Sequence, residues 1–419
     1  MTKSVKMYCI KSGFALIFLL RGIKMKTNKS LLFVFALFFF VFASCNHNAN
    51  KNPATANDKT QAVSTYTIAS TETTEDENPV VKNVINYTSI DCAGNPVTLS
   101  GYFEYSADSE INQIILMEHG TISYNTQAPS VAKSNQSVPA SKAKGRVVIC
   151  PDYLGYGASV AKIHPYMNQE LTAINSIDME LAVLKYFADN EIAVKDSHYT
   201  VVAGYSQGGS SALAVHKYME NNLSAEKKVL INLNRSFCGG TPADLKATMD
   251  VYFNASTTNV GLVFYVIQGM LESYPEVFEG YTLQDFYTDK VTAETVAAGF
   301  NAKTEAGAVS AMMAFPPDKS AVNIHAEALH NSESDLYKKF VGCLVKNDLT
   351  DWEPKHSINF YHSTTDDTVS IENYNELMKE NKMGRYPDLV KGETGTGTHG
   401  EYAASGFYPL FLTAIETMD

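Results

Sequence analysis

The sequence is short of positive charge. Its 419 residues include 33 Lys and Arg against 45 Asp and Glu, a formal net charge of −12. Residues 1–44 hold seven Lys/Arg and no Asp/Glu, so the rest of the chain carries 26 basic and 45 acidic residues, a net of −19. Such a surface repels phosphate backbones and anionic headgroups, which excludes nucleic acid as a partner. Paired cysteine spacing is also missing. There is no C-x-x-C, and Cys92, Cys150, Cys238 and Cys343 lie at long, irregular intervals, so no disulfide pairing is legible. Cys150 closes the apolar run "RVVIC" and reads as a packed thiol. Large aliphatics are almost absent from residues 46–79, which are rich in Asn, Thr, Ala and Ser; this composition predicts a disordered tether over 45–79. No internal repeat is evident. What remains, 45% hydrophobic overall, is ample for one large globular domain or a domain with an inserted subdomain.

The N-terminus reads as a targeting segment. Lys24, Lys26 and Lys29 surround Met25, the run Leu31 to Phe42 is wholly apolar, and Ala43-Ser44-Cys45 follows. The pattern resembles a bacterial lipoprotein signal, with Phe42 where Leu or Val is more usual. That resemblance implies removal of residues 1–44 and lipidation of Cys45, and hence a membrane contact through the lipid. Met25 reads as a better start than Met1. A membrane-spanning anchor is the alternative, but twelve apolar residues are short for a span of roughly 20. Asn46, with no acidic cluster after it, points to an outer-membrane protein facing the periplasm.

From Val80 the hydrophobic pattern alternates. "VINY" and "VTLSGYFEY" predict an opening pair of strands. "QIILME" (113–118) and "RVVIC" (146–150) are continuous apolar runs, as expected of strands covered on both faces. Residues 171–190 carry apolar side chains at helical spacing. "YTVVAG" (199–204) predicts a strand, Gly208 to Asn221 a helix, and "KVLINL" (228–233) another strand. This alternation predicts an α/β domain over 80–419, a mostly parallel sheet flanked by helices, with its ligand at the carboxyl ends of the strands. Residues 241–350 break the rhythm with helical stretches such as "VGLVFYVIQGMLES" and "TAETVAAGF", and predict a helical cap inserted after the sixth or seventh strand. The sheet resumes with "SINFYH" (357–362), and the chain ends on a helix.

The chemistry centres on "TVVAGYSQGGSSALAV" (200–215). A G-x-S-x-G sequence on a strand-to-helix turn is a nucleophile elbow, holding Ser206 strained and exposed above the sheet. Gly204 and Gly208 are small because side chains there would collide with neighbouring elements. The helix N-terminus supplies partial positive charge, and the N–H of Gln207 points where an oxyanion would form. A serine nucleophile needs a base, and the base an orienting carboxylate. Of ten histidines only His399, in "GTGTHGEY", follows the last strand able to bear the acid. "INFYHSTTDDTVS" offers Asp366 and Asp367; Asp366 is preferred because His362, Asp366 and Val369 fit a His-Gly-x-x-Asp-x-x-Val spacing, with Ser363 in place of the glycine. The second oxyanion donor is the N–H of Thr121 in "ILMEHGTISY", where Gly120 lets the backbone approach the substrate. His119, His356 and His362 precede the acid or sit in tight loops, and are read as structural.

With these residues in hand a family resemblance emerges. "EHGT", "APS" (128–130), "PDYLGYG" (151–157), "HPYM" (164–167), "GYSQGG" (204–209) and "HSTTDDTV" (362–369) stand in the order seen in the secretory lipase family of α/β-hydrolases. The resemblance is close over roughly 113–215, weak through the cap, and returns at 352–370. It implies an α/β-hydrolase fold and carboxylic ester hydrolysis through a Ser-Asp-His triad and an acyl-enzyme, with a small-molecule or acylated ester as substrate and no cofactor. Two other functions stay open: a serine exopeptidase, with Glu272, Glu276 and Glu279 as candidates for holding a peptide terminus, and a non-catalytic binding lipoprotein that kept the fold. Gly395, Gly397 and Gly400 spell G-x-G-x-x-G, but no dinucleotide site is read there because no strand leads into them. "HAEALH" (325–330) lacks the zincin spacing, and no metal site is read. The cap aromatics Phe264, Tyr265, Tyr274, Phe278, Tyr281, Phe286 and Tyr287 read either as an acyl pocket or as ordinary packing. Oligomeric state is not legible.

Overall fold

The apolar runs at 113–118 and 146–150 become neighbouring strands in the middle of a sheet. A computed structural model describes residues 58–134, 144–254, 260–288, 294 and 325–418, apart from residues 63 and 76. Within it nine strands run in chain order: β1 (Tyr66–Thr73), β2 (Val80–Ile90), β3 (Pro96–Ser106), β4 (Ile111–Glu118), β5 (Arg146–Pro151), β6 (Val194–Tyr205), β7 (Leu233–Gly239), β8 (Ser357–Ser363) and β9 (Val390–Gly395). Their order in the sheet is β1-β2-β3-β5-β4-β6-β7-β8-β9. The first three strands are antiparallel, β3 meets β5 antiparallel, and the pairs from β5 through β9 are parallel. This mostly parallel sheet flanked by helices is the expected α/β-hydrolase fold.

Side chains alternate across a strand, so each apolar run feeds two cores. Ile114 and Leu116 of β4 join Val147, Ile149 and Val202 beneath the helices α1 (Gln169–Asp189) and α2 (Gln207–Asn221). Ile115 and Met117 face the other way, against Val148, Val201 and Phe237, and are covered by Phe407, Phe411 and Ile415 from the C-terminal helical segment. Asn168 starts α1 by accepting the Leu171 N–H at 3.1 Å, a side-chain cap for an otherwise orphaned donor.

Between β7 and β8 lie α3 (Leu245–Asn254), α4 (Val260–Ser273) and α5 (Asp335–Lys346). They close an apolar cluster of their own around Met249, Phe264, Ile267, Phe286 and Phe340, which reaches Tyr166 and Met167 of the loop before α1. Phe264, Phe278, Phe286 and Tyr287 are thus packing residues. The stretch "TAETVAAGF", apart from Glu294, and Cys45 fall outside the described residues. Beyond β9 come a helical turn (His399–Tyr402), a π-helical turn (Ala403–Phe407) and α6 (Tyr408–Glu416). Among the described residues, no helix is long and apolar enough to cross a membrane.

Three expectations need correction. The tether does not run to residue 79: Tyr66–Thr73 pairs antiparallel with β2. As an edge strand it needs only Tyr66 and Ile68 against the core, and its threonines are good strand formers, so low aliphatic content misled. The run 228–233 is not a strand. Ser224 caps a helix over Ala225–Ile231, Asn232 ends it in the left-handed conformation at φ 54°, and the strand begins only at Leu233. Strand β9, "VKGETG", was not anticipated; it is a charged, largely exposed edge strand.

Candidate active site

Ser206 stands between the last residue of β6 and the first of α2, with φ 62° and ψ −125°. A non-glycine residue adopts that backbone only when its surroundings enforce it. The enforcement is visible in the packing. A Cβ on Gly204 would lie 2.2 Å from the Gly208 carbonyl oxygen, and one on Gly208 would lie 2.2 Å from that of Glu118. The Ser206 N–H donates to Gly239 O at 2.9 Å, and Ser206 O accepts from Gly209 N at 2.9 Å. The turn is therefore pinned from β7 on one side and from α2 on the other.

His399 opens the helical turn after β9. Thr398 and Glu401 form a capping box there: the Thr398 N–H donates to Glu401 Oε2 at 2.8 Å, and the Thr398 hydroxyl accepts from Glu401 N at 3.4 Å. His399 Nδ1 lies 2.6 Å from Asp366 Oδ2. The Asp366 side chain is fully buried, and its Oδ1 accepts N–H bonds from Thr368 at 2.9 Å and Val369 at 2.8 Å. Burial works against ionisation here, but His399 and the two amides outweigh it and hold the carboxyl below the usual aspartate range. Asp367 is used differently: its Oδ1 accepts the backbone N–H of His399 at 2.9 Å. The adjacent aspartates thus divide the work, one holding the ring and the other the main chain. His362 donates through Nε2 to Val369 O at 3.0 Å and braces the Asp366 loop.

Two further contacts tie His399 to the elbow. The Tyr205 hydroxyl, one residue before Ser206, donates to His399 O at 2.9 Å, and the two rings lie 4.8 Å apart. A Cβ on Gly240, the residue after the Gly239 carbonyl that holds Ser206, would come within 2.9 Å of His399 Cε1. The remaining nitrogen, His399 Nε2, is buried and makes no hydrogen bond to any described residue.

Of the two residues expected to supply oxyanion donors, one belongs to the elbow and the other follows a residue packed beside it. Gln207 is the first residue of α2, so its N–H lies outside the helix's own hydrogen-bond ladder. Gly120 sits beside the elbow, since a Cβ there would be 3.3 Å from Tyr205 O and 3.9 Å from Ser206 Cβ; Thr121 follows it. His119 is a brace, as expected: it is buried, stacks on Tyr153 at 4.0 Å, and its ring nitrogens lie against Gly120 O and Asp152 O.

The role of the "HPYM" segment was not foreseen. His164 Nδ1 lies 2.7 Å from Leu154 O, so Nδ1 carries the proton and Nε2 accepts from the Gln207 side-chain amide at 2.8 Å. Burial pushes the His164 pKa down to about 3, which keeps the ring neutral. Two residues on, the Tyr166 hydroxyl meets Thr121 Oγ1 at 2.8 Å. One short loop therefore touches both Gln207 and Thr121. Its other side meets the cap: a Cβ on Gly269 of α4 would lie 2.3 Å from Tyr166 O, and the Tyr166 and Tyr265 rings are 5.2 Å apart. The only sequence signal for this bracket is the motif itself, because its partners lie more than 40 residues away in both directions.

Comparison with known proteins agrees with this architecture. The ligand-bound form of the rice cell wall degrading esterase LipA from Xanthomonas oryzae superposes with a TM-score of 0.70 at 20% identity, over 84% of this chain and 96% of that one. A putative hydrolase from Legionella pneumophila gives a TM-score of 0.67 at 17% identity, over 85% and 98%. Candida antarctica lipase A in its closed state gives 0.56 at 12%, over 83% and 82%. No curated protein sequence matches the chain. The secretory lipase family matches residues 125–385, well over half of the sequence. The chain belongs to the secretory lipase family, α/β-hydrolases of the esterase and lipase class.

Proposed function

We propose that the chain is a serine carboxylic ester hydrolase in which Ser206, His399 and Asp366 form the catalytic triad. The carrying observation is the strained Ser206 turn, tied through Tyr205 and the Gly239–Gly240 corner to a His399–Asp366 pair at 2.6 Å. Asp366 fixes the Nδ1–H tautomer of His399, which leaves Nε2 as the base. His399 takes the Ser206 proton as Oγ attacks the ester carbonyl. The backbone amides of Gln207 and Thr121 hold the tetrahedral oxyanion, each worth roughly 10²–10³ in rate. His399 then protonates the leaving alcohol, and water repeats the sequence on the acyl-enzyme. No cofactor takes part. Cys45 carries the lipid that holds the enzyme at the outer membrane.

The test is a chain-length series of p-nitrophenyl esters, from acetate to palmitate, beside an acylated plant polysaccharide and aminoacyl-p-nitroanilides. The polysaccharide is included because the structurally similar LipA is a cell wall degrading esterase. Ester turnover that disappears in Ser206→Ala supports the reading. Turnover of the anilides alone, or ester turnover that survives the substitution, rejects it. Radiolabelled palmitate incorporation, lost in Cys45→Ala, tests the anchor.

A further inference from the structure

At the far end of α2 from Ser206, two imidazoles and two backbone amides crowd onto one carboxylate oxygen. His216 and Glu220 are one helical turn apart and share a face of α2. His356 comes from the loop entering β8. Glu220 Oε1 lies 3.1 Å from His216 Nε2, 2.8 Å from His356 Nδ1, 2.7 Å from His356 N and 2.9 Å from Lys355 N. A carboxylate oxygen has two lone pairs, so four donors exceed what it accepts. The amides are fixed donors. The imidazoles are not, because each can present a lone pair instead of a proton.

We propose that His216, Glu220 and His356 form a binding site for one divalent transition-metal cation of the zinc class. The three ligand atoms lie within 4.8 Å of one another, and donors around a tetrahedral zinc sit about 3.3 Å apart, so the cluster accommodates the ion with small side-chain shifts. Two nitrogens and one oxygen suit zinc rather than calcium or magnesium. Outer partners are in place. The second nitrogen of His216 lies 2.7 Å from Ser236 Oγ of β7, and Lys355 N bonds both Glu220 oxygens at 2.9 Å. His216 and the Glu220 carboxylate are almost fully buried, while the His356 side chain is 45% exposed. Beside the cluster a cavity of about 460 Å³, lined by Met219, Leu223, Ile231 and Lys355, gives an ion and a bound water access. Lys228 also lines the cavity, with its ammonium engaged on the Glu220 carbonyl oxygen at 2.6 Å. The ion would join the helix behind the elbow to the loop entering the strand that leads to Asp366. It lies about 20 Å along α2 from Ser206, so it is structural rather than catalytic.

The experiment strips the purified protein with chelator and titrates Zn²⁺ alone, reading stoichiometry by calorimetry and the thermal midpoint by scanning fluorimetry. The expected result is one Zn²⁺ per chain at micromolar concentration, a raised midpoint, and no response to Ca²⁺. His356→Ala, at a half-exposed position that should not impair folding, lowers the affinity by roughly 100-fold or more and abolishes the shift. Co²⁺ in the wild type gives the intense visible bands of a four-coordinate site, absent in the variant. No Zn²⁺ uptake by the wild type, or undiminished uptake by a folded His356→Ala, overturns the proposal.

Discussion

Gln207 and His164 meet side chain to side chain, the amide nitrogen 2.8 Å from the Nε2 of a neutral, buried imidazole. Gln207 supplies the proposed oxyanion donor from its backbone, so its side chain is free to be held from behind. His164 holds it, and Tyr166 holds Thr121. Removing one partner leaves the other polar group buried and unsatisfied, at about 1–3 kcal/mol. His164→Ala should lower kcat about 10-fold or more, with KM within a few-fold, because the misplacement matters only when the oxyanion forms. Tyr166→Phe, which deletes one oxygen, should act in the same direction and more weakly. Steady-state kinetics on a p-nitrophenyl ester, with thermal midpoints as a folding control, decide it. An unchanged kcat in folded variants would show that the bracket only packs.

Asp366 and Asp367 are neighbours with different duties, and substitution separates them. Asp366→Asn removes the anion that orients His399, and kcat should fall by about 10³–10⁴. Asp367→Asn keeps an oxygen able to accept the His399 N–H, so the loss should stay within about 10-fold. Equal losses in the two variants would mean that the division of labour seen in the hydrogen bonds has no catalytic counterpart.

Three carboxyls are buried: Glu118 at the end of β4, whose backbone oxygen packs against the elbow glycines, and Asp178 and Glu180 on α1. Burial pushes Glu118 up to about 7, Asp178 up to about 7 and Glu180 up to about 8. The hydroxyl bonds from Ser176, Ser89 and Thr200 pull the other way and lose. An unfolded chain releases these protons near pH 4, whereas the folded chain holds them to between about 7 and 8. Stability is therefore greatest below about pH 4.5 as far as these groups go, and declines as pH rises through their folded values. Glu180→Gln removes the largest of the three rises. It should flatten the fall in thermal midpoint between pH 5 and pH 8, with a gain at pH 8 on the order of 2–4 kcal/mol. Midpoints measured across that range in both proteins test this, and parallel curves would reject it.

What the sequence made legible follows from how local each requirement is. The elbow is read directly because Gly204, Ser206 and Gly208 meet their demands within five residues of a strand-to-helix turn. The central strands β4 and β5 are read because burial on both faces makes them mostly apolar, with polar residues such as Gln113, Glu118 and Arg146 only at their ends. Spacing alone favoured Asp366 over Asp367, but which atom of His399 each one faces, ring Nδ1 or backbone N–H, depends on how the loop folds and has no sequence cue. The helix at 225–231 was misread because an apolar run is ambiguous, and the capping at Ser224 and Asn232 decided it. His164 and Tyr166 took their roles from distant partners. Glu220 and His356, 136 residues apart, have no spacing signature at all.

Residues 58–79 provide the sharpest test of where the fold begins. Asp58 accepts the Ser224 N–H at 3.0 Å and pairs with Lys227 at 3.1 Å, and its side chain is 7% exposed. Lys59 N donates to the Tyr218 hydroxyl at 2.7 Å, and Gln61 N donates to the buried Asp178 at 2.7 Å. Strand β1 then covers the edge of β2, and Tyr66 packs edge-on against Tyr186 of α1 at 5.8 Å. A chain starting at residue 80 loses these bonds, exposes Tyr186, and leaves the Asp178 carboxyl with one donor fewer. Its thermal midpoint should lie at least about 5 °C below that of a chain starting at residue 58. Ester turnover at 25 °C should persist, because none of the lost contacts reaches the elbow. Equal midpoints would place the start of the folded domain at β2, where composition alone had put it.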